Sequence, residues 1–393
     1  MEEWKEYRLG DIAIAVKDRI DTSVLDRESY ISTENMLPDK AGVSLSSGVP
    51  LGNAIKFQIG DVLISNIRPY FKKIWRANGI GGCSADVICL RATEKVESHY
   101  LYYLLSQDVF FDYVMQGAKG TKMPRGDRKQ ILQWPVTLPS MEEQNVISSF
   151  LKSLDDKIVV NKRINDNLDQ QAKTLFKSWF IDFEPFRDGE FVESEMGLIP
   201  SGWQVKELGE VTETQNTRVK DRTDVKVLSP VTTGELVLSE EYFSKQVFSE
   251  SIAKYIIVKP FDFAYNPARV NIGSLGMNTF NFDGCVSPVY VVSRCESNYQ
   301  YFFDLFRQTD YFKEEVKTRA IGGVRQTLGY KDFSLIKVVY PPKVVVEKFN
   351  KIYSTLLSKK AKNNVEITRL GELRDVLLPK LMSGELKVSE MNA

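Results

Sequence analysis

The sequence predicts an α+β protein built by duplication. Two tandem mixed α/β domains are each followed by a long helix, and the two helices form an antiparallel coiled coil with a pseudo-two-fold relating the halves. Three observations carry this prediction. Landmarks recur along the chain at an offset near 200, alternating apolar stretches within each copy read as short strands, and a stripe with steps of three and four follows each copy. The expected division is 1–139 and 203–341 for the domains, 140–184 and 342–384 for the helices, 185–202 for a linker and 385–393 for a tail.

The repeat comes first because everything else leans on it. Trp4 falls on Trp203, Leu9-Gly10 on Leu208-Gly209, Asp61 on Asp262 and Arg68 on Arg269. Gly82-Cys83 falls on Gly284-Cys285, Gly126 on Gly329, Pro139 on Pro341, Asn161 on Asn363 and Leu168 on Leu370. The offset drifts only between 199 and 203, and an ordered series of this length is not a chance match. The period is too long for a solenoid, so it describes two domains. Within each copy, Asp61–Ser65 and Asp86–Leu90 read as strands, helices are expected at His99–Met115 and Tyr299–Val316, and glycine-punctuated loops follow at Gly117–Gly126 and Gly322–Gly329.

After Pro139 the periodicity changes. Ser140-Met141-Glu142-Glu143 has the form of a capping box. A seam then runs through Ile147, Leu151, Leu154, Ile158, Asn161, Asn165, Leu168, Ala172, Leu175 and Trp179, and Pro185 stops it. The second seam runs through Phe349, Tyr353, Leu356, Lys360, Asn363, Ile367, Leu370, Arg374, Leu377 and Leu381. Lys360 and Arg374 weaken the pattern, although their stems can lie along an apolar surface. Pro379 should kink the last turns, and Gly384 ends the helix. About 40 residues at 1.5 Å each make a helix of roughly 60 Å, too long for a small domain to cover alone. The natural partner of each helix is the other, and a buried Asn at mid-seam would fix their register.

Composition bounds the function. Of 393 residues, 52 are basic and 52 acidic, so no overall positive field marks a nucleic-acid binder and any such binding must be local. No run of apolar residues is long enough for a membrane span, and four cysteines without a signal segment point to a reducing cytoplasm. His99 is the only histidine, which removes most hydrolase triads and histidine-rich metal sites. No phosphate-binding loop for ATP occurs. Asn266-Pro267-Ala268-Arg269 lacks the second proline and the aromatic that an adenine methyltransferase would place there.

Three stretches are locally basic. The first supplies Asn66, Arg68, Lys72 and Lys73 with interleaved aromatics, and the second supplies Lys119, Lys122, Arg125, Arg128 and Lys129. The second copy offers Asn266, Arg269 and Asn271, with Arg319, Arg325, Gln326 and Lys331 around its glycine loop. Arginine can read guanine bidentately, Asn and Gln can read adenine, and lysine mostly holds phosphate. Basic loops at equivalent places in both copies point to a binding role, with double-stranded DNA as the candidate. A stand-alone enzyme acting on DNA and a tandem structural adaptor are the alternatives.

Together these features resemble the specificity subunit of type I restriction-modification systems. Family-like strings are LFKSWFIDFEPF at Leu175–Phe186, GLIPSGWQVKELGEV at Gly197–Val211, YNPARVNIGS at Tyr265–Ser274 and LLPKLMSGEL at Leu377–Leu386. The resemblance implies a non-catalytic chain in which two target-recognition domains each read one half of a bipartite, asymmetric DNA site. It implies that the helices space the halves and dock two methyltransferase (modification) subunits, joined by motor-nuclease (restriction) subunits. S-adenosylmethionine, ATP and Mg then belong to those partners, with no cofactor, metal or membrane for this chain. The copies differ where Ser65-Asn66-Ile67-Arg68 meets Asn266-Pro267-Ala268-Arg269, so different half-sites are expected.

Overall fold

The computed structural model describes residues 4–243, 245–320 and 327–388. The chain forms two compact units, Met1–Arg163 with Asn363–Ala393, and Ile164–Lys362. Both boundaries fall inside the long helices, Met141–Phe180 and Lys343–Met382, so each unit holds one α/β domain and one half of each helix.

The first unit contains two four-stranded sheets. One is antiparallel, in the order Ala13–Ala15, Val87–Ala92, Val62–Ser65, Ile74–Arg76. Its central strands read as unbroken apolar runs because both faces are covered. Val62, Ile64, Ile88 and Leu90 point into the core beneath the helices, while Leu63, Val87 and Cys89 point into a second core against the other sheet. That second sheet is ordered Arg19–Asp21, Asn53–Phe57, Gly81–Cys83, Tyr30–Ile31, the last pair parallel. Gly81 is required there, since a Cβ on it would lie 2.2 Å from the Ser29 carbonyl oxygen.

The second unit repeats this plan. Thr212–Thr214, Val291–Cys295, Phe263–Tyr265 and Leu275–Met277 make the antiparallel sheet, with Phe263 and Tyr265 facing one core and Ala264 the other. Its second sheet, Leu236–Leu238, Lys226–Pro230, Gly284–Val286, Ile256–Val258, gains an edge strand at Leu236–Leu238. The edge strand Arg19–Asp21 of the first unit is reduced here to the single bridge Arg218↔Ile256. The duplicated cysteines Cys83 and Cys285 are buried, and burial pushes the Cys285 thiol up to about 11.

One duplicated feature takes a different form from that expected, and a buried ion pair recurs that the repeat alone did not indicate. Each helix predicted after the sheets is two helices, Ser98–Leu105 with Asp108–Gln116, and Gln300–Phe306 with Asp310–Arg319. Gln107 and Thr309 adopt extended backbone and begin a new helix, with the Thr309 hydroxyl accepting the Phe312 amide at 3.2 Å. Asp61 and Asp262 do not pair with the arginines seven residues on. Asp61, only 1% exposed, accepts a bidentate bond from Arg91 at 2.8 Å, and Asp262 accepts the same from Arg294 at 2.6 and 2.8 Å.

Helix packing within each unit is antiparallel. In the first, Ile147 and Leu151 share a core with Leu377, Leu378, Leu381 and Met382. In the second, Ala172, Phe176 and Phe180 share one with Val345, Val346, Phe349 and Tyr353. Leu154, Ile158, Asn161, Asn165 and Leu168 are buried, while Leu356, Asn363, Ile367 and Leu370 are half-buried. The expected seam ended on Leu175 and Trp179, but the structure buries Phe176 and Phe180. A straight helix drifts relative to a seven-residue repeat, and the aromatic core of Phe302 and Trp203 captures the shifted face. The central helix stops at Phe180, before Phe183 turns left-handed ahead of Pro185. Pro379 lies within a helix that continues to Met382.

The seam cations are ion-paired rather than merely tolerated. Arg374 meets Asp155 at 2.7 Å and Lys360 meets Asp169 at 2.7 Å, each acid on the first helix and each base on the second. The Tyr103 hydroxyl donates to Asp155 at 2.7 Å, tying the domain to the helix, and buried Asn161 donates to Glu366 at 2.8 Å.

Asp155→Ala should lower stability by about 1–3 kcal/mol, because it strands the Tyr103 hydroxyl and leaves the half-buried Arg374 guanidinium only the neighbouring Asp375. Replacing both Asp155 and Arg374 by leucine should recover only the guanidinium's share, since the Tyr103 hydroxyl stays unpaired; denaturant unfolding of the two variants measures the difference. A truncated chain of residues 1–200 loses Leu377–Met382 from the first unit's core. It should replace them with Leu175–Phe180 of a second copy, giving a dimer in light scattering. A well-folded monomer at micromolar concentration would count against this helix exchange.

Candidate nucleic-acid interface

In the first unit, main-chain hydrogen bonds join the two basic loops that the sequence singled out. Ile67 and Lys119 each bridge to Arg125. The Arg68 amide donates to Pro124 O at 2.8 Å, and the Gly126 amide donates to Asn66 O at 3.2 Å. Gly126 is needed for this approach, as a Cβ there would lie 2.9 Å from both Asn66 Oδ1 and Val114 Cγ1. Arg68 and Lys72 take left-handed backbone, bracketing one tight helical turn at Pro69–Phe71.

The cations on these loops divide into two groups. Lys119 is 85% exposed with its ammonium 3.5 Å from Asp127, and Arg125 is 57% exposed with its guanidinium 3.4 Å from Asp86. Lys122, Arg128 and Lys129 are also exposed, and Arg128 donates to Ala85 O. These five present charge outward. The others are turned to internal duty. Lys72 joins Lys40 on Asp108, at 2.9 and 2.8 Å, and this contact, Lys40 first, holds the Asp108 carboxyl below its usual range. Lys73 donates to Thr33 O at 2.7 Å, and burial pushes its ammonium down. Asn66, expected as a base reader, is 8% exposed; it sits inside the junction of the two loops, so its amide does not face out. Arg68 is half-buried, with a buried Nε.

In the second unit one main-chain bond joins the corresponding stretches. The Leu328 amide donates to Pro267 O at 3.0 Å, where the Gly126 amide donates to Asn66 O in the first. Asn266 closes a local turn, its Oδ1 accepting the Ala268 amide at 3.0 Å, which explains its side chain without a base. Arg269 and Lys331 are exposed, Asn271 is half-buried, and Arg319 is held by Glu315 at 2.9 Å. Arg325 and Gln326 lie outside the described residues.

Several surface groups here escaped the sequence reading. Lys40 adds a cation beside Lys72, and Tyr70 and Phe71 stand exposed on the turn with their rings 4.7 Å apart. Only the aromatic interleaving of the basic stretch hinted at them. Among the described residues no group of His, Cys, Asp and Glu could hold a metal ion, and no helix is long and apolar enough to cross a membrane. An arrangement of paired, outward-facing cationic loops on a sheet scaffold suits contact with phosphates and base edges.

The chain is similar to known proteins in sequence and in fold. Residues 1–170 match the family described as the type I restriction modification DNA specificity domain. The MjaIX type I restriction enzyme specificity subunit of Methanocaldococcus jannaschii is 27% identical over 309 residues, covering 76% of this chain and 71% of the relative. The HindI specificity subunit of Haemophilus influenzae is 25% identical over an alignment of 464 residues, covering 98% and 100%. The crystal structure of the type I restriction-modification S subunit from M. genitalium shares the fold, with a TM-score of 0.58 at 14% identity and 96% of each chain covered. Residues 1–170 thus match the type I restriction modification DNA specificity domain, and the chain is similar to specificity subunits of type I restriction-modification systems, one of them along nearly its whole length.

Proposed function

We propose that this chain is the non-catalytic DNA-reading subunit of a type I restriction-modification complex. Residues 1–139 and 203–341 act as two target-recognition domains, each reading one half of a bipartite, asymmetric site in double-stranded DNA. The observation that carries this reading is the main-chain bond that joins the loops in each domain, Asn66 with Gly126 and Pro267 with Leu328, beside exposed cations. One such junction would suit many surfaces; two, at corresponding places with different side chains, suit a reader of two different half-sites. The long helices offer the docking platform for two methyltransferase subunits, and motor-nuclease subunits complete the complex. S-adenosylmethionine, ATP and Mg serve those partners.

On this reading Lys119, Lys122 and Lys129 hold phosphate, while Arg125 and Arg128 in the first domain and Arg269, Arg325 and Gln326 in the second reach base edges. Asn271, Arg319 and Lys331 add contacts from the second domain. The placement of Asn66, Lys72, Lys73 and Asn266 favours a supporting role in the loops.

Mapping methylated adenines in the host genome should give a two-part motif with an unspecified gap, the halves about one helical turn apart. A single contiguous motif would sink the proposal. Arg125→Ala should relax one position of one half-site, at about 1–3 kcal/mol, and leave the other half-site intact. Lys119→Ala should instead weaken all sequences alike and reduce the salt slope of binding by about one. Binding isotherms of the assembled complex over a salt series distinguish these two patterns.

A further inference from the structure

The tight turn at Pro69–Phe71 has a counterpart in the second domain at Val270–Ile272, and the two are built alike bond for bond. The Phe71 amide donates to Arg68 O at 3.0 Å, and the Ile272 amide donates to Arg269 O at 3.1 Å. The next amide closes the turn in each: Lys72 to Pro69 O at 2.8 Å, and Gly273 to Val270 O at 3.0 Å. Lys72 and Gly273 both take left-handed backbone. The first turn residue, Pro69 or Val270, is buried, while the last is turned out, Phe71 at 37% and Ile272 at 57% exposure.

A single exposed apolar side chain is ordinary on a protein surface. What is not ordinary is its recurrence at one structural position in two domains whose loop sequences have diverged. Phe71 packs against Tyr70 and Lys73 within its own loop, yet the outer face of each tip gains nothing from the core. Both tips follow an arginine, and both leave the same loop junction as the exposed cations. The turn's two hydrogen bonds hold the tip in place beforehand, so little freedom is lost when it is covered.

We propose that Phe71 and Ile272 are equivalent apolar tips, one per domain, that enter a groove of the duplex and contact base edges or open a base step. This inference rests on the DNA-reading function proposed above. An apolar side chain releases no counterions, so it contributes to specific binding without contributing to the salt slope. A flexible pyrimidine–purine step or a thymine methyl is the feature such a tip would favour.

The test uses the full-length chain assembled with its methyltransferase subunits and two duplexes of equal length. One duplex carries the methylation motif mapped from the host genome, and the other a shuffled sequence. Phe71→Ala should weaken binding to the motif duplex about tenfold, leave the shuffled duplex within about twofold, and leave the salt slope unchanged. Ile272→Ala should do the same, and Phe71→Leu and Ile272→Leu should restore most of the affinity while controlling for folding. Undiminished specific binding, or equal loss on both duplexes, overturns the proposal for the tips alone. A wild-type complex that does not distinguish the duplexes overturns the DNA-reading function itself, and the tips with it.

Discussion

Each α/β domain in this protein is closed by one end of both long helices, and for the first domain one of those ends lies far away in the sequence. Leu377, Leu378, Leu381 and Met382 come from the last turns of the second long helix, yet they are buried in the core of the first unit beside Ile147 and Leu151. Val345, Val346 and Phe349, from the first turns of that helix, are buried with Phe176 and Phe180 in the other unit. Fully burying one such side chain is worth about 1.5–3 kcal/mol, so these residues supply a large share of what holds each unit together. Neither helix can leave its partner without uncovering a domain core.

Apolar stripes alone would permit the helices to slip. The ion pairs Asp155–Arg374 and Asp169–Lys360 lie 14 residues apart on both helices, one in each unit, which matches two heptads. A slip of one heptad separates both acids from their bases at once. The groups are half-shielded, so losing a partner costs more than a surface pair would, even though the pair adds little over apolar packing. The charges therefore specify register more than they add stability. Asn161 serves the same end through Glu366.

The recognition surface follows the same division between frame and contact. Asp61–Arg91 and Asp262–Arg294 brace the sheet in each domain, with the carboxylates nearly completely buried and the guanidinium groups partly exposed. Asn66, Gly126 and the carbonyls of Pro124 and Pro267 hold the loops together through main-chain bonds, which do not depend on which side chains point outward. A scaffold of this kind lets exposed residues such as Lys122 and Arg125 change without disturbing the fold, and the second domain carries a different set on the same frame.

The duplication, the strands and the helix pair were legible because they are written as local period: an offset of 199–203, alternation in Val62–Ser65, and steps of three and four from Ile147 onward. The family strings added the resemblance to specificity subunits. Spacing could not say that Asp61 reaches Arg91 instead of Arg68, that Arg374 and Lys360 find acids across the helix pair, or that Asn66 and Lys72 turn inward while Arg125 turns out. Nor could it show that the buried face shifts from Leu175 to Phe176, which depends on the aromatic core waiting at Phe302. Each of those outcomes is a contact between residues distant in the chain. Period is a property of one element, whereas partner choice depends on how elements meet in space, and only the tertiary structure carries that distance.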